Sequence, residues 1–327
     1  MSTDYRRKDT PAPARVSIVP DPEMEPVAIT SAAKDDEDLL NRFWVALLVA
    51  FLGVVGTMLT ITGGNGGFQG VLVALLLHTV PGLAIGVVYR LRGLDLILSW
   101  FVGSLAVLIL CSLPMALTSF WHPRVMATLI LLASTAVAVW VACKRPPTLE
   151  ATWVRRTGRA MIGPIGLATA GFLVAVLAAA AQPQSPALYG AALAAGPLWF
   201  LGLGAIVFAV CWAFSSVGGR SWSIVLLATV VPMSQAVMYG TPTVQVAARH
   251  IGLVNLLIAN GGLDREAGIY QAYSGLFASS ALVQQAAGWP DLMMYAAVFG
   301  AVGAGVNCLA VAQLARYFVD DERAWWA

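Results

Sequence analysis

The sequence predicts an all-α, polytopic transmembrane helical bundle of about eight spans with one amphipathic outer segment, and three observations lead there. Of its 327 residues, 59% are hydrophobic and only 11% charged, against roughly a quarter charged in soluble domains. Apolar runs recur at the ~20 residues a helix needs to cross ~30 Å of hydrocarbon. The charges fall between those runs, and unequally on the two sides. Runs this long read as helices because lipid holds no water to bond the backbone of an open strand.

Residues 1–41 stand apart. Arg6, Arg7, Lys8 and Arg15, several prolines and the acidic run Asp35, Asp36, Glu37 and Asp38 show no apolar periodicity, the composition of a disordered arm. The arm lacks the apolar core and small-residue cleavage site of a signal peptide. Its basic cluster suits anionic lipid headgroups, at about 1 kcal/mol per basic residue, although a plain solvated tail is the commoner role of such a segment.

After Arg42, spans are expected near residues 43–61, 68–89, 95–117, 125–143, 161–181, 191–213, 222–240 and 292–315. The first seven make a bundle over 42–240; an extracytoplasmic amphipathic segment covers 241–291, and the last span with a cytoplasmic tail covers 292–327. Gly63-Gly64-Asn65-Gly66-Gly67 and Arg90-Leu91-Arg92-Gly93 are tight turns. With the N-terminus inside, the cytoplasmic junctions collect Arg90, Arg92, Lys144, Arg145, Arg155, Arg156, Arg159, Arg220, Arg316 and Arg323. The other side receives only Arg124, Arg249 and Arg265, as the positive-inside rule requires of a plasma-membrane protein. Trp44, Trp100, Trp121, Trp222 and Trp289 fall near span ends, where an interfacial belt places them.

The spans carry almost no charge; Asp95 sits at a cytoplasmic edge beside Arg92. That weighs against ion-coupled transport, which needs intramembrane ionisable groups. The polar residues inside are His78 with Pro81, Ser234, Gln235, Asn307 and Gln313. His78 is expected as a buried neutral ring bonded to a helix carbonyl that Pro81 frees. Gly300, Gly303, Ala304 and Gly305 are expected to permit close helix packing. Cys111, Cys143, Cys211 and Cys308 lie in or at the ends of spans with no metal-ligand spacing, and read as packing residues. No metal site and no nucleic-acid partner is expected.

In the outer segment, Thr241-Pro242 has the form of a helix start. Ala247, Ile251, Val254 and Ile258 recur at helical spacing opposite Gln245 and Arg249, and Asn260-Gly261-Gly262 is a stop. Such a helix lies flat at a membrane surface. Asp264-Arg265-Glu266 opens a polar loop, and 274–289 returns as an apolar helix leading through Trp289-Pro290 to the last span. Asp264, Glu266 and Asp291 are the outer carboxylates, the candidates for a general base or a divalent-cation ligand. Arg249, His250 and Arg265 are the neighbouring cationic or switchable groups; a guanidinium fork suits a lipid phosphate.

The run Thr241-Pro242, Arg249-His250-Ile251-Gly252, Asn260-Gly261 and Ile269-Tyr270-Gln271 to Leu276-Phe277-Ala278 resembles an actinobacterial group of multispanning type C (lipid-linked sugar) membrane glycosyltransferases, over about residues 235–327. Gly268 and Tyr273-Ser274 stand where that group carries an aspartate and a Trp-Pro pair. The resemblance implies transfer of a sugar from a polyprenyl-phosphate donor on the outer face, sometimes with a divalent cation. Asp264 or Glu266 would then be the catalytic base or metal ligand, with Arg249, His250, Arg265 and Tyr270 at the substrate. The alternative is a non-catalytic protein that binds membrane lipid or scaffolds cell-envelope-synthesis proteins. The closing Asp321-Glu322-Arg323-Ala324-Trp325-Trp326-Ala327 is expected to begin a further span.

Overall fold

The computed structural model describes residues 27–63, 66–144, 159–182, 194–215, 219–242, 245–264 and 274–319. Its helices are α1 (Val27–Ile61), α2 (Gly67–Leu77), α3 (Val80–Val88), α4 (Gly93–Leu98), α5 (Ser104–Thr118), α6 (Pro123–Lys144), α7 (Arg159–Ala180), α8 (Gly196–Ser215), α9 (Arg220–Tyr239), α10 (Gln245–Asn260), α11 (Gly275–Ala287) and α12 (Met293–Ala315). A π-helical turn, Ser99–Gly103, joins α4 to α5. No strand occurs among the described residues.

Eight stretches are long and apolar enough to cross a membrane: Arg42–Ile61, Gly67–Val88, Gly93–Thr118, Pro123–Lys144, Gly163–Ala180, Gly196–Phe214, Arg220–Tyr239 and Met293–Ala315. The chain is a multi-pass integral membrane protein. Every expected boundary lies within about two residues of these except the sixth start, expected at 191 and found five residues later at Gly196. α2 with α3 forms one span, and α4, the π turn and α5 form another.

Two apolar cores organise the bundle. Val49, Leu77, Val80, Leu108, Leu131 and Leu282 bring α1, α2, α3, α5, α6 and α11 together. Ala175, Trp199, Ile206 and Val230 unite α7, α8 and α9. The α7–α8 crossing is close because Gly171 and Gly202 face each other, each leaving no room for a Cβ against the other's carbonyl. α12 ties the cores together, packing on α9 and α4. Gly305 permits this approach: a Cβ there would lie 2.8 Å from Thr229. Gly300 and Gly303, expected to act alike, face open space, since at ~100° per residue they sit on a different arc from Gly305.

Tryptophan indoles in the spans donate to hydroxyls that are themselves anchored. Trp199 donates to Ser234 (2.8 Å) and Ser234 to the Val230 carbonyl (2.6 Å). Trp222 donates to Thr169 (2.9 Å), which donates to the Ile165 carbonyl (2.7 Å). At the end rich in basic residues, Arg42 donates to the Val87 carbonyl (2.9 Å), and Arg220 to the α8 terminal carbonyls of Ala213 (3.1 Å) and Phe214 (3.4 Å). Asp95 accepts from Gln313 (2.7 Å), and Gln313 from Arg316 (3.2 Å).

Three expectations change. The backbone is helical from Val27, so residues 27–41 of the expected arm extend the helix of the first span beyond its apolar stretch; Ala32, Ala33 and Leu39 are good helix formers, and helix propagates cheaply from an existing one. α10 is described from Gln245 and Pro242 is not helical, so Pro242 is not the first residue of that helix. Gly240, at φ 63°, closes α9 with its N–H on the Ala236 carbonyl (2.9 Å), and a proline soon after a glycine stop is how helices commonly end. Cys211, expected as a packing residue, is exposed on α8 while Cys111 and Cys308 are half-buried; a thiol is apolar enough to face lipid.

Candidate functional site

The site grows from a defect in the second span. Pro81 has no N–H and disfavours helical geometry in the residue before it, so α2 stops at Leu77 and α3 restarts at Val80. In lipid, backbone groups released at a break need partners, and four side chains bond the backbone around this one. His78 Nδ1 lies 2.9 Å from the Ala74 carbonyl, Thr79 donates to the Leu75 carbonyl at 2.6 Å, the Gly82 N–H donates to Ser104 at 2.8 Å, and Ser99 donates to the Gly82 carbonyl at 2.8 Å. His78 is buried and bonded to a helix carbonyl as expected. That carbonyl is not the one proline frees: Ala74 also accepts the His78 backbone N–H, at 3.1 Å.

The third span carries its own irregularity at the same depth. Gly82 lies directly against the π turn; a Cβ there would collide with the Ser99 and Trp100 carbonyl oxygens. The absent side chain lets the two irregular backbones touch, and the π turn presents Trp100 and Phe101 to the break. Trp100 donates to Thr79 at 2.9 Å. Phe101 stacks on His78 with centroids 6.1 Å apart. π turns and broken helices at membrane depth are tolerated where they line a cavity, and here they do.

That cavity is a groove of about 490 Å³ between α2, the π turn and the start of α12. Its walls are Val71, Ala74, Leu75, His78 and Thr79 on one side, Trp100 and Phe101 below, and Met294, Tyr295, Val298, Phe299 and Val302 on the other, with Trp289, Pro290 and Asp291 at the mouth. Val71 to Thr79 and Met294 to Val302 each cover about 12 Å at ~1.5 Å per residue, close to the ~15 Å depth of one leaflet's hydrocarbon. Leu75 and Met294 are exposed, so the groove opens sideways toward lipid. Its one polar centre is internally bonded. A carbonyl only accepts, so His78 Nδ1 carries the proton toward Ala74; Nε2 of the neutral ring then accepts from the Tyr295 hydroxyl at 3.1 Å.

A second cavity, about 480 Å³, adjoins the groove through Trp289 and is lined also by Trp121, His122, Pro123, Arg124, Val125, Gln285 and Gly288. Trp121 donates to the Gln285 side chain at 2.8 Å, and Arg124 Nε to the Gln285 carbonyl at 3.4 Å. Gly70 shapes the partition: a Cβ there would lie 2.5 Å from the Ala287 carbonyl and 2.6 Å from the Trp289 indole nitrogen.

α10 and α11 stand at this same end. Ile251, Val254 and Leu257 of α10 are buried against Ala116, Ala278 and Leu292, with Trp121 and Tyr295 alongside. Arg249 is exposed, as expected of the opposite arc. α11 does not lie on the bundle but enters it: Ala278, Ala281, Leu282 and Val283 are fully buried. His250 packs against Phe277 of α11 with the rings tilted and their centroids 5.2 Å apart. Asp264 is half-buried, two residues beyond the Gly261-Gly262 stop. Arg265, Glu266 and Tyr270 lie outside the described residues. Among the described residues, no three His, Cys, Asp or Glu side chains converge as a metal site. Sequence reasoning had singled out His78 and Pro81 but not Tyr295, Phe101 or Gln285, which resemble any other span residue until the fold brings them together.

Comparison with known proteins returned no match: no family model fits the sequence, and neither a curated protein nor a solved structure is similar to it.

Proposed function

We propose that this protein binds a membrane lipid, taking one lipid chain into the groove between the second, third and eighth spans. One observation carries the reading: two backbone irregularities, joined at Gly82 by the side chains of Ser99 and Ser104, lie together and line an aromatic cavity of about 490 Å³ open to the bilayer. A closed apolar core needs neither. Charge asymmetry supports an outer-face position for this end, with the N-terminus cytoplasmic. The test is native mass spectrometry of the full-length protein extracted in mild detergent, against a Val298→Trp variant that fills the groove. Loss of one bound lipid, with helicity unchanged by circular dichroism, is the expected result. An identical set of adducts in both proteins refutes the reading.

A second reading, sugar transfer from a polyprenyl-phosphate donor, draws support from one arrangement. α10, which carries Arg249 and His250 and leads to Asp264, packs beside Trp121 and so borders the polar cavity next to the lipid groove. Asp264 or Glu266 would take the acceptor's hydroxyl proton. Unchanged transfer by an Asp264→Asn, Glu266→Gln double variant eliminates those roles.

A further inference from the structure

We infer that the polar cavity beside Trp289 is the headgroup site for the lipid held in the groove, and that Arg124 selects a phosphate-bearing, anionic headgroup. The inference rests on the groove reading above and adds to it the chemical class of the ligand.

The argument begins with what the groove cannot do. Lipid tails are already as apolar as the side chains of the groove, so moving a chain from bilayer to groove gains no hydrophobic free energy. Selection of one lipid over its neighbours therefore needs a polar contact. At the mouth, the groove side of Trp289 carries Asp291, whose carboxylate accepts the Met293 N–H at 2.9 Å; its charge disfavours an anion there. The other side of the same indole carries Arg124 in a cavity with no acidic residue in its lining. Arg124 commits Nε to the Gln285 carbonyl at a long 3.4 Å, and this bond orients the guanidinium without neutralising it. A planar fork with donors to spare is suited to phosphate oxygens. At about 480 Å³, the cavity has room for a headgroup. One wall therefore divides an apolar slot of one leaflet's depth from an open cationic recess, the pattern of an anionic amphiphile.

A phosphate group also exists free in solution, and the test separates the two sources. Full-length protein is titrated with dodecyl phosphate, dodecanol and inorganic phosphate, with binding read by native mass spectrometry. The expected result is that dodecyl phosphate binds at least about tenfold more tightly than dodecanol, the factor for a charge-assisted hydrogen bond. Arg124→Gln brings the two to parity, Arg124→Lys retains part of the preference, and Val298→Trp abolishes both. Equal affinities in the native protein overturn the headgroup assignment and leave the groove reading standing. Failure of both amphiphiles overturns the groove reading, and this inference with it. If inorganic phosphate binds as tightly as dodecyl phosphate and is lost in Arg124→Gln, the recess serves a free anion and the lipid assignment fails.

Discussion

Tyr295→Phe removes one hydroxyl and nothing else from the wall of the groove. The ring keeps its packing, with centroids 5.6 Å from Phe299, 5.9 Å from Trp289 and 5.8 Å from His78. His78 Nε2, however, loses its donor at 3.1 Å. His78 is only 9% exposed and its other nitrogen is committed to Ala74 at 2.9 Å, so the ring cannot turn to a new partner without breaking that bond. Stranding a buried acceptor costs about 1–3 kcal/mol. Hydrogen bonds between spanning helices, measured by double-mutant cycles, contribute nearer ~0.6 and at most ~1.7 kcal/mol. The variant is therefore expected to lose about 1 kcal/mol. The assay is reversible denaturant unfolding in mixed micelles, followed by circular dichroism, for Tyr295→Phe, His78→Phe and the double variant. The cycle is needed because Ser280 also bonds the Tyr295 hydroxyl, and only the coupling term isolates the histidine pair. Single effects that add within about 0.3 kcal/mol would mean that His78 and Tyr295 are merely neighbours, and the account of a satisfied polar centre would fall.

Gly82→Ala places a methyl against the Ser99 and Trp100 carbonyls and 2.8 Å from the Ser104 nitrogen. It is expected to cost about 1–3 kcal/mol, to weaken chain binding, and to show both in thermal unfolding and in native mass spectra. For topology, a Cys211→Ser background leaves Cys143 as the exposed native thiol at the basic end; Phe120→Cys adds an exposed one at the opposite end. A membrane-impermeant maleimide should label Cys143 only after permeabilisation and the introduced cysteine in intact cells; the reverse pattern inverts the protein and moves the lipid site to the inner leaflet.

The membrane fold was legible in the sequence because each span is a local property. Eighteen or more consecutive apolar residues satisfy their own backbone within one helix and need no distant partner. The defect in the second span was legible only as a possibility, since Pro81 can disrupt a helix while Pro114, Pro164 and Pro232 lie inside unbroken ones. Pairing is a different matter. His78 and Tyr295 are 217 residues apart, and Trp121 and Gln285 are 164 apart. An apolar span has lipid-like residues on all sides, so hydropathy does not mark which arc faces protein; Gly300 and Gly305 look alike in sequence and only one of them packs. α11 shows the same limit, because its apolar residues suit a surface helix as well as one inserted into the core. Composition and local chemistry thus determined that the chain spans the membrane, how often, and where a helix can break. Tertiary packing alone decided which broken backbone met which π turn, and so where the membrane bundle has a groove, because helix contacts in lipid depend on shape and on single hydrogen bonds rather than on hydrophobicity.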